Sequence, residues 1–521
     1  MNNLAELQEY LNSDSQEELI KCPSLIARII INLTSEQIVQ QIVPAINSLL
    51  TSNFEDVSDS MLQALPYICQ IIQNIMDSKA DVFICQNILP MFYGLTFEGD
   101  EDTISIIADA ITAIIEPLIS PNFITLYVPF LMSLAQSGKK SLRAISAFAL
   151  EYGAEIIDIN PEFDKISTIV IELATDSSPS IRSHVPSIVT AFISTISESN
   201  HKSQLAAQMF LLAHDKSTEV RKSVIEYLYD FSKKVDTDTK ILTVEPVLIL
   251  LLDDQILQIR LLALARFAPI VSTIGVNTSE KLIQKYCHCL LSEEENVAYS
   301  VAFAFPAVAL AIGPARFNKE LYPSFLSALQ SYDLRVRRTL SFSLSTYAQS
   351  LTPSDLCIAV STLLKDLPYV SIGVISNLSA ILPYVDDKQS LLFCLLNPSS
   401  KYSEWRMRLK VSEQLRKCKP FFNKDTLIKS AFELVEDGVA AVRKDAVRSI
   451  AELMDENDIK KLKKMSESEN HWTRLCAAEI CGMVKLDDDS KIQKILKKLN
   501  DDKVFAVKNE AQRILNSSSA I

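Results

Sequence analysis

Tyr127, Phe130, Leu131 and Leu134 place apolar side chains at i, i+3, i+4 and i+7, the stripe of an amphipathic helix. Residues 137–140 are polar and break the stripe, which resumes across 141–156 as a second helix. This helix–turn–helix pattern returns at a fixed interval. Arg143, Arg182, Arg221 and Arg260 stand 39 residues apart, each directly after an apolar residue (Leu142, Ile181, Val220, Ile259). Leu134, Leu173, Leu212 and Leu251 form a column in the same phase, and Leu131, Val170, Met209 and Leu248 form another. Downstream, Ala147/Leu150, Pro186/Val189, Ile225/Leu228 and Leu264/Phe267 keep it. Units of this length bury their apolar faces only against their neighbours and stack along one axis. The expected fold is all-α: a single superhelical solenoid over 1–521, with about 14 helix–turn–helix repeats.

Outside 131–271 the period loosens. Three units precede it, at about 3–34, 38–76 and 81–120, without the Arg, and the acidic residues 100–102 replace the polar turn of the third. Beyond it, Glu293 continues an acidic column while Ala298 takes the Arg position. Arg337 restores the Arg, Ser371 loses it, and Arg408, Arg443, Arg474 and Lys508 recover the basic residue. Pro44, Pro90, Pro129, Pro246 and Pro323 fall inside first helices, where each removes a helical hydrogen bond and kinks the helix. Kinks at one place in several units would curve the stack. Only 516–521 reads as a free tail.

Acids precede three of the arginines by six residues, at Asp176, Asp215 and Asp254. They can complement the N-terminus of the second helix, but an Arg in that first turn is disfavoured by the helix dipole alone. Its recurrence points to pairing. Asp176, Arg182, Asp215, Arg221, Asp254 and Arg260 are expected to form an ion-pair ladder, each Arg meeting the acid of its own or an adjacent unit.

Composition narrows the function more than the fold. Nine glycines in 521 residues leave little for tight-turned strands or phosphate-cradling loops. The net charge of −13 argues against a general nucleic-acid binder. That charge is uneven, about +5 over 401–521 and about −18 before it. Ten scattered cysteines without a C-x-x-C pair read as buried reduced thiols of an intracellular protein, and no secretory signal is evident at the start. The uncharged run 296–315 reaches membrane-spanning length but reads as a buried repeat helix, since it contains Pro306, Gly313 and Pro314 where a second helix is due.

Chemistry is scarce. The five histidines form no metal-binding or nucleophilic constellation. Cys287, His288 and Cys289 point about 100° apart on a helix and cannot converge on one ion. Carboxylate clusters at 293–295 and 487–489 read as solvated turns, and the basic clusters at 335–338 and 460–464 as solvated faces. Neither an enzyme, a cofactor nor a metal is expected. Trp405 and Trp472, the only tryptophans, each precede a repeat Arg at the mouth of a turn. Trp beside Arg is the composition of a binding hot spot; the alternative is that each ring packs over the adjacent repeat.

The 39-residue helix pair, with Pro in its first helix and Asp and Arg about the turn, resembles the HEAT repeat. Within that class the sequence is similar to the scaffold (A) subunits of protein phosphatase 2A. The specific stretches are late: VSIGVISNL at 370–378 resembles that family's VRLNIISNL, WRMR at 405–408 its WRVR turn, and 497–515 its last unit. ILPM at 88–91 is similar to its Pro-bearing first helices. The sequence departs from the family in yielding fourteen units rather than fifteen, in Ala440 where the family has an aromatic, and in Ser371 where it has a ladder Arg.

The resemblance implies a non-catalytic cytoplasmic, and also nuclear, scaffold whose ridge of turns holds a serine/threonine phosphatase catalytic subunit and variable regulatory subunits. It implies catalytic-subunit contacts at Trp405, Arg406, Trp472 and Val507 within 386–521. Regulatory contacts would lie within 1–320, in turns such as 136–140, 176–180 and 215–219. The competing expectation is a HEAT-repeat adaptor for nuclear transport or vesicle trafficking, because such receptors are also acidic helical solenoids.

Overall fold

A computed structural model describes residues 2–95, 101–118, 121–154, 156–484 and 490–518. Every regular element in it is helical, and no strand occurs among the described residues. The helices fall into 14 successive pairs, some first or second helices being divided into shorter segments. The repeat is plainest at Pro121–Ala135 with Lys140–Gly153, and at Ser199–Ala213 with Thr218–Lys234. Two compact units, Met1–Ile274 and Gly275–Ile521, hold seven pairs each.

Within each unit, second helices pack on the second helices of the next pair. The repeating apolar columns close the space between first and second helices. Leu134, Leu173, Leu212 and Leu251 are at most 2% exposed, and Leu131, Val170, Met209 and Leu248 are fully buried. The residue ahead of each repeat Arg is core as well, including Ile181, Val220, Val336, Val442 and Val507. A side chain buried on this scale contributes about 1.5–3 kcal/mol. The stack is therefore held by local apolar burial between neighbours rather than by one central core.

The prolines act through a defined device. In three pairs the first helix passes through a π-helical segment (Ile38–Ile42, Lys240–Val244 or Phe317–Leu321) immediately before the α-helix that carries Pro44, Pro246 or Pro323. Widening the turn by one residue accommodates a ring that would otherwise clash with the preceding carbonyl. Pro90 instead lies in the 3-10 segment Leu89–Gly94, and Pro129 inside the α-helix Pro121–Ala135.

The expected tail starts too early, since the last helix, Phe505–Ser518, continues through Asn516. Residues 519–521, Asp100 and the carboxylates at 487–489 lie outside the described residues. The uncharged run forms the helix Glu295–Ile312 of the eighth pair. A longer apolar stretch, Leu257–Asn277, has the length and composition of a membrane span. Its helix Leu257–Ile274 buries Ile259, Leu264, Phe267 and Val271 against neighbouring helices of its own unit, which accounts for its apolar character.

Candidate functional site

The arginines of the repeat reach forward. Arg143, Arg182, Arg221, Arg337, Arg408 and Arg474 pair through Nε with Asp176, Asp215, Asp254, Asp366, Asp437 and Asp502 of the following helix pair, at 2.5–2.7 Å. Nη2 donates to the second carboxylate oxygen, so each contact is bidentate. Nη1 turns back and donates to the carbonyl six residues earlier, as Arg182 does to Asp176 and Arg221 to Asp215. The sequence left the pairing open between two acids, and both take part. The unit's own acid offers its backbone carbonyl, and the next unit's acid its carboxylate. Arg260 makes the same backward bond, to Asp254 at 2.7 Å.

Each carboxylate also braces its own turn by accepting a nearby backbone N–H, two residues on in Asp215 (from Ser217) and Asp437 (from Val439) and one residue on in Asp366 (from Leu367). The Arg182 guanidinium holds Asp215 below the usual carboxylate range, and Arg474 does the same to Asp502. Asp176 and Asp215, in the turns at 176–180 and 215–219, are thus engaged internally, while Glu219 is exposed. What those turns present to a partner is their remaining residues.

Around the predicted contact residues, structure and surface are mixed. Arg443 donates to the Asp437 carbonyl, and its guanidinium lies 4.9 Å over the Trp472 ring. Ser468 stands where the ladder acid would be, and the electron-rich face of Trp472 serves Arg443 as its forward partner in place of a carboxylate. Trp472 remains 45% exposed. Trp405 is half-buried beneath exposed Arg406, 4.7 Å from its ring. Val507 is fully buried, because it stands in the core column ahead of the repeat basic residue; the exposed apolar side chain of that turn is Phe505.

A different surface gathers more. Four successive second helices of the second unit are α1 (Glu295–Ile312), α2 (Leu334–Tyr347), α3 (Pro368–Ser376) and α4 (Trp405–Lys417). They line two adjoining hollows of about 620 and 670 Å³ that share Arg338, Phe342 and Tyr369. Numbered from the repeat Arg position, the lining residues recur in register. Arg335, Tyr369 and Arg406 lie two before it, Tyr299, Arg338 and Ile372 one after, and Phe303 and Phe342 five after. At 3.6 residues per turn these positions fall within about 60° of one another, on the side opposite the core. Phe303 is 73% exposed and Tyr369 51%.

The cations of the groove lie on its rings. Arg338 is 3.7 Å from the Tyr369 centroid and 5.2 Å from that of Phe342, and Arg335 is 5.3 Å from that of Tyr299. Asp333 caps α2 by accepting the Arg335 N–H and also pairs with that side chain. Neither Arg338 nor Arg406 forms an ion pair among the described residues. Close approach of α2 and α3 sets the geometry: Ser341 Oγ donates to the Val370 carbonyl at 2.7 Å, and Gly373 lies against Ser341 and Phe342.

Sequence reasoning took the cluster at 335–338 for a solvated face and hid Tyr299 and Phe303 inside a buried run. One signal was available: both aromatics lie off the buried stripe that runs through Val301, Phe305 and Val308.

No family model matches the sequence, and no curated protein is similar to it. The fold does have solved counterparts. Kap121p matches with a TM-score of 0.62 over 100% of this chain at 15% identity. The karyopherin Kap121p bound to the extreme C-terminus of the protein phosphatase Cdc14p matches at 0.62 over 96% at 15%, and Kap121p bound to Nup53p at 0.62 over 97% at 14%. The chain spans 56–57% of the length of those proteins. The likeness establishes the fold as an all-helical, HEAT-type solenoid of the kind found in karyopherins.

Proposed function

We propose that this chain is a non-catalytic, protein-binding adaptor of the karyopherin kind, working in the cytoplasm and nucleus. One observation carries the reading: four neighbouring second helices turn aromatic and arginine side chains outward in one register. Apolar rings this exposed are costly unless a partner covers them, and Arg with aromatic residues dominates binding hot spots. The Kap121p structures that hold Nup53p and the Cdc14p C-terminus support protein segments as the class of partner.

The phosphatase-scaffold reading is second. Much of the resemblance behind it has a packing explanation. In 370–378, Val370, Val374, Ile375 and Leu378 are core, and Gly373 serves helix approach. In 405–408, Met407 is core and Arg408 belongs to the ladder, which leaves Trp405 and Arg406 as the partner-facing pair.

Affinity capture from the native cell, with wild type, Arg338→Glu and Arg406→Ala side by side, tests both readings. The adaptor reading expects transport cargo or nuclear-pore proteins that wild type retains and Arg338→Glu loses. Recovery of a phosphatase catalytic subunit that Arg406→Ala loses would place the scaffold reading first. Identical captures by all three proteins would defeat both.

A further inference from the structure

We infer that the groove across α1–α4 binds an extended acidic peptide segment that carries large apolar anchors. This deepens the adaptor reading and rests on it only in requiring a protein partner.

The charge of the groove is opposite to that of the chain. Of its lining residues Arg335, Arg338 and Arg406 are basic and Glu404 is acidic, in a protein of net charge −13. Arg335 already has Asp333, whereas Arg338 and Arg406 are fixed over aromatic rings with their N–H groups uncommitted to any carboxylate among the described residues. A guanidinium held flat on a ring is pre-positioned, so a carboxylate arriving in its plane gains a two-pronged bond with little further loss of side-chain freedom. The other half of the lining, Tyr299, Phe303, Phe342, Tyr369, Leu367 and Ile372, asks for apolar side chains.

Four helices packed about 8–10 Å apart make a track of roughly 30 Å, which an extended chain crosses in about ten residues. Residues alternating across such a chain would meet the arginine and aromatic sides in turn. A basic segment would face Arg338 and Arg406 without a counter-charge. A nucleic-acid strand could stack on the rings, but would set its phosphates near Glu404 and within the field of a strongly acidic chain.

The test is a displayed library of random ten-residue peptides, selected on the intact chain. The leading enriched peptide is then labelled with fluorescein and titrated by anisotropy. The expected result is enrichment of Asp and Glu together with Phe, Leu or Trp, binding weakened at least tenfold by Arg338→Glu, and weaker binding to Phe303→Ser. Phe303 is exposed, so Phe303→Ser should keep the wild-type unfolding temperature and separates a lost contact from a lost fold. Enrichment of Lys- and Arg-rich peptides, or no enrichment at all, would overturn the inference. So would preferential, Arg338-dependent binding of a mixed-sequence single-stranded oligonucleotide. If the inference fails while Arg338→Glu still changes the captured proteins, the adaptor reading survives and the occupant is a folded surface rather than a peptide.

Discussion

Replacing Arg408 with alanine should destabilise the second unit by about 3 kcal/mol, the range for breaking a largely buried ion pair. The Arg408 side chain is 14% exposed and that of its partner Asp437 only 2%. The alanine variant leaves that carboxylate with the Val439 N–H as its remaining backbone donor, and also removes the bonds from Nη1 to the Tyr402 and Ser403 carbonyls. Trp405 and Trp472 are the only tryptophans and both flank this region, so their fluorescence during urea unfolding reports it directly. A fully solvated Arg would cost less than about 0.5 kcal/mol, and an unshifted midpoint would reject the ladder as a source of stability.

The effect carries a pH signature. Burial pushes Asp437 up, but the Arg408 hydrogen bonds, the Val439 N–H and the charges of Arg408 and Arg443 together outweigh it and hold the carboxyl below its ordinary value. A depressed folded value means the contribution is complete above the unfolded carboxylate pKa of about 3.9 and is lost as pH falls through the folded value. The difference between Arg408→Ala and wild type should therefore be largest at neutral pH and shrink below about pH 4.

Gly373→Val should be about as damaging, near 3 kcal/mol. A Cβ at Gly373 would stand 2.5 Å from Ser341 Oγ and 2.8 Å from both the Phe342 nitrogen and the Ser341 carbonyl carbon. Backbone cannot yield as a flexible side chain does, so α3 would have to move off α2. Even Gly373→Ala should lose stability, although alanine gains about 1 kcal/mol of helix propensity over glycine. A stabilised alanine variant in thermal unfolding would contradict the close approach. The same displacement would lift Tyr369 away from Arg338, so the groove should lose its partner at temperatures where Gly373→Val is still folded.

Much of the fold was legible because a solenoid repeats its own rules. The columns at Leu134, Leu173, Leu212 and Leu251 are core in every unit, and their spacing alone carries the helix pairs. The ladder arginines were legible as well, since an Arg in the first turn of a helix requires an explanation. Their direction was not, because acids of the same and the next unit lie at fixed offsets and only packing decides between them. Val507 was misplaced although its position, directly ahead of the repeat basic residue, is core in Ile181, Val220 and Val336. The groove escaped for a different reason. Its columns are short and one mixes Tyr, Arg and Ile, so no single residue type runs through all four helices, and the face emerges only when α1–α4 are laid side by side.

A motif resemblance carries less weight where structural and functional residues share a stretch. WRMR at 405–408 has one core residue and one ladder residue among its four, as packing in a HEAT-type stack requires. The exposed faces of the second helices are free of that requirement.

The central claim is that the face of α1–α4 is where this protein meets its partner. Site-specific photocrosslinking in the native cell tests it most directly, with benzoylphenylalanine placed at Phe303, at Tyr369 and, as a control at least as exposed as either, at Leu242 in the first unit, which is 76% exposed. The account predicts a shared protein adduct from Phe303 and Tyr369 that Leu242 does not give and that Arg338→Glu abolishes. An adduct of equal yield from Leu242, or none from either groove position, would contradict it.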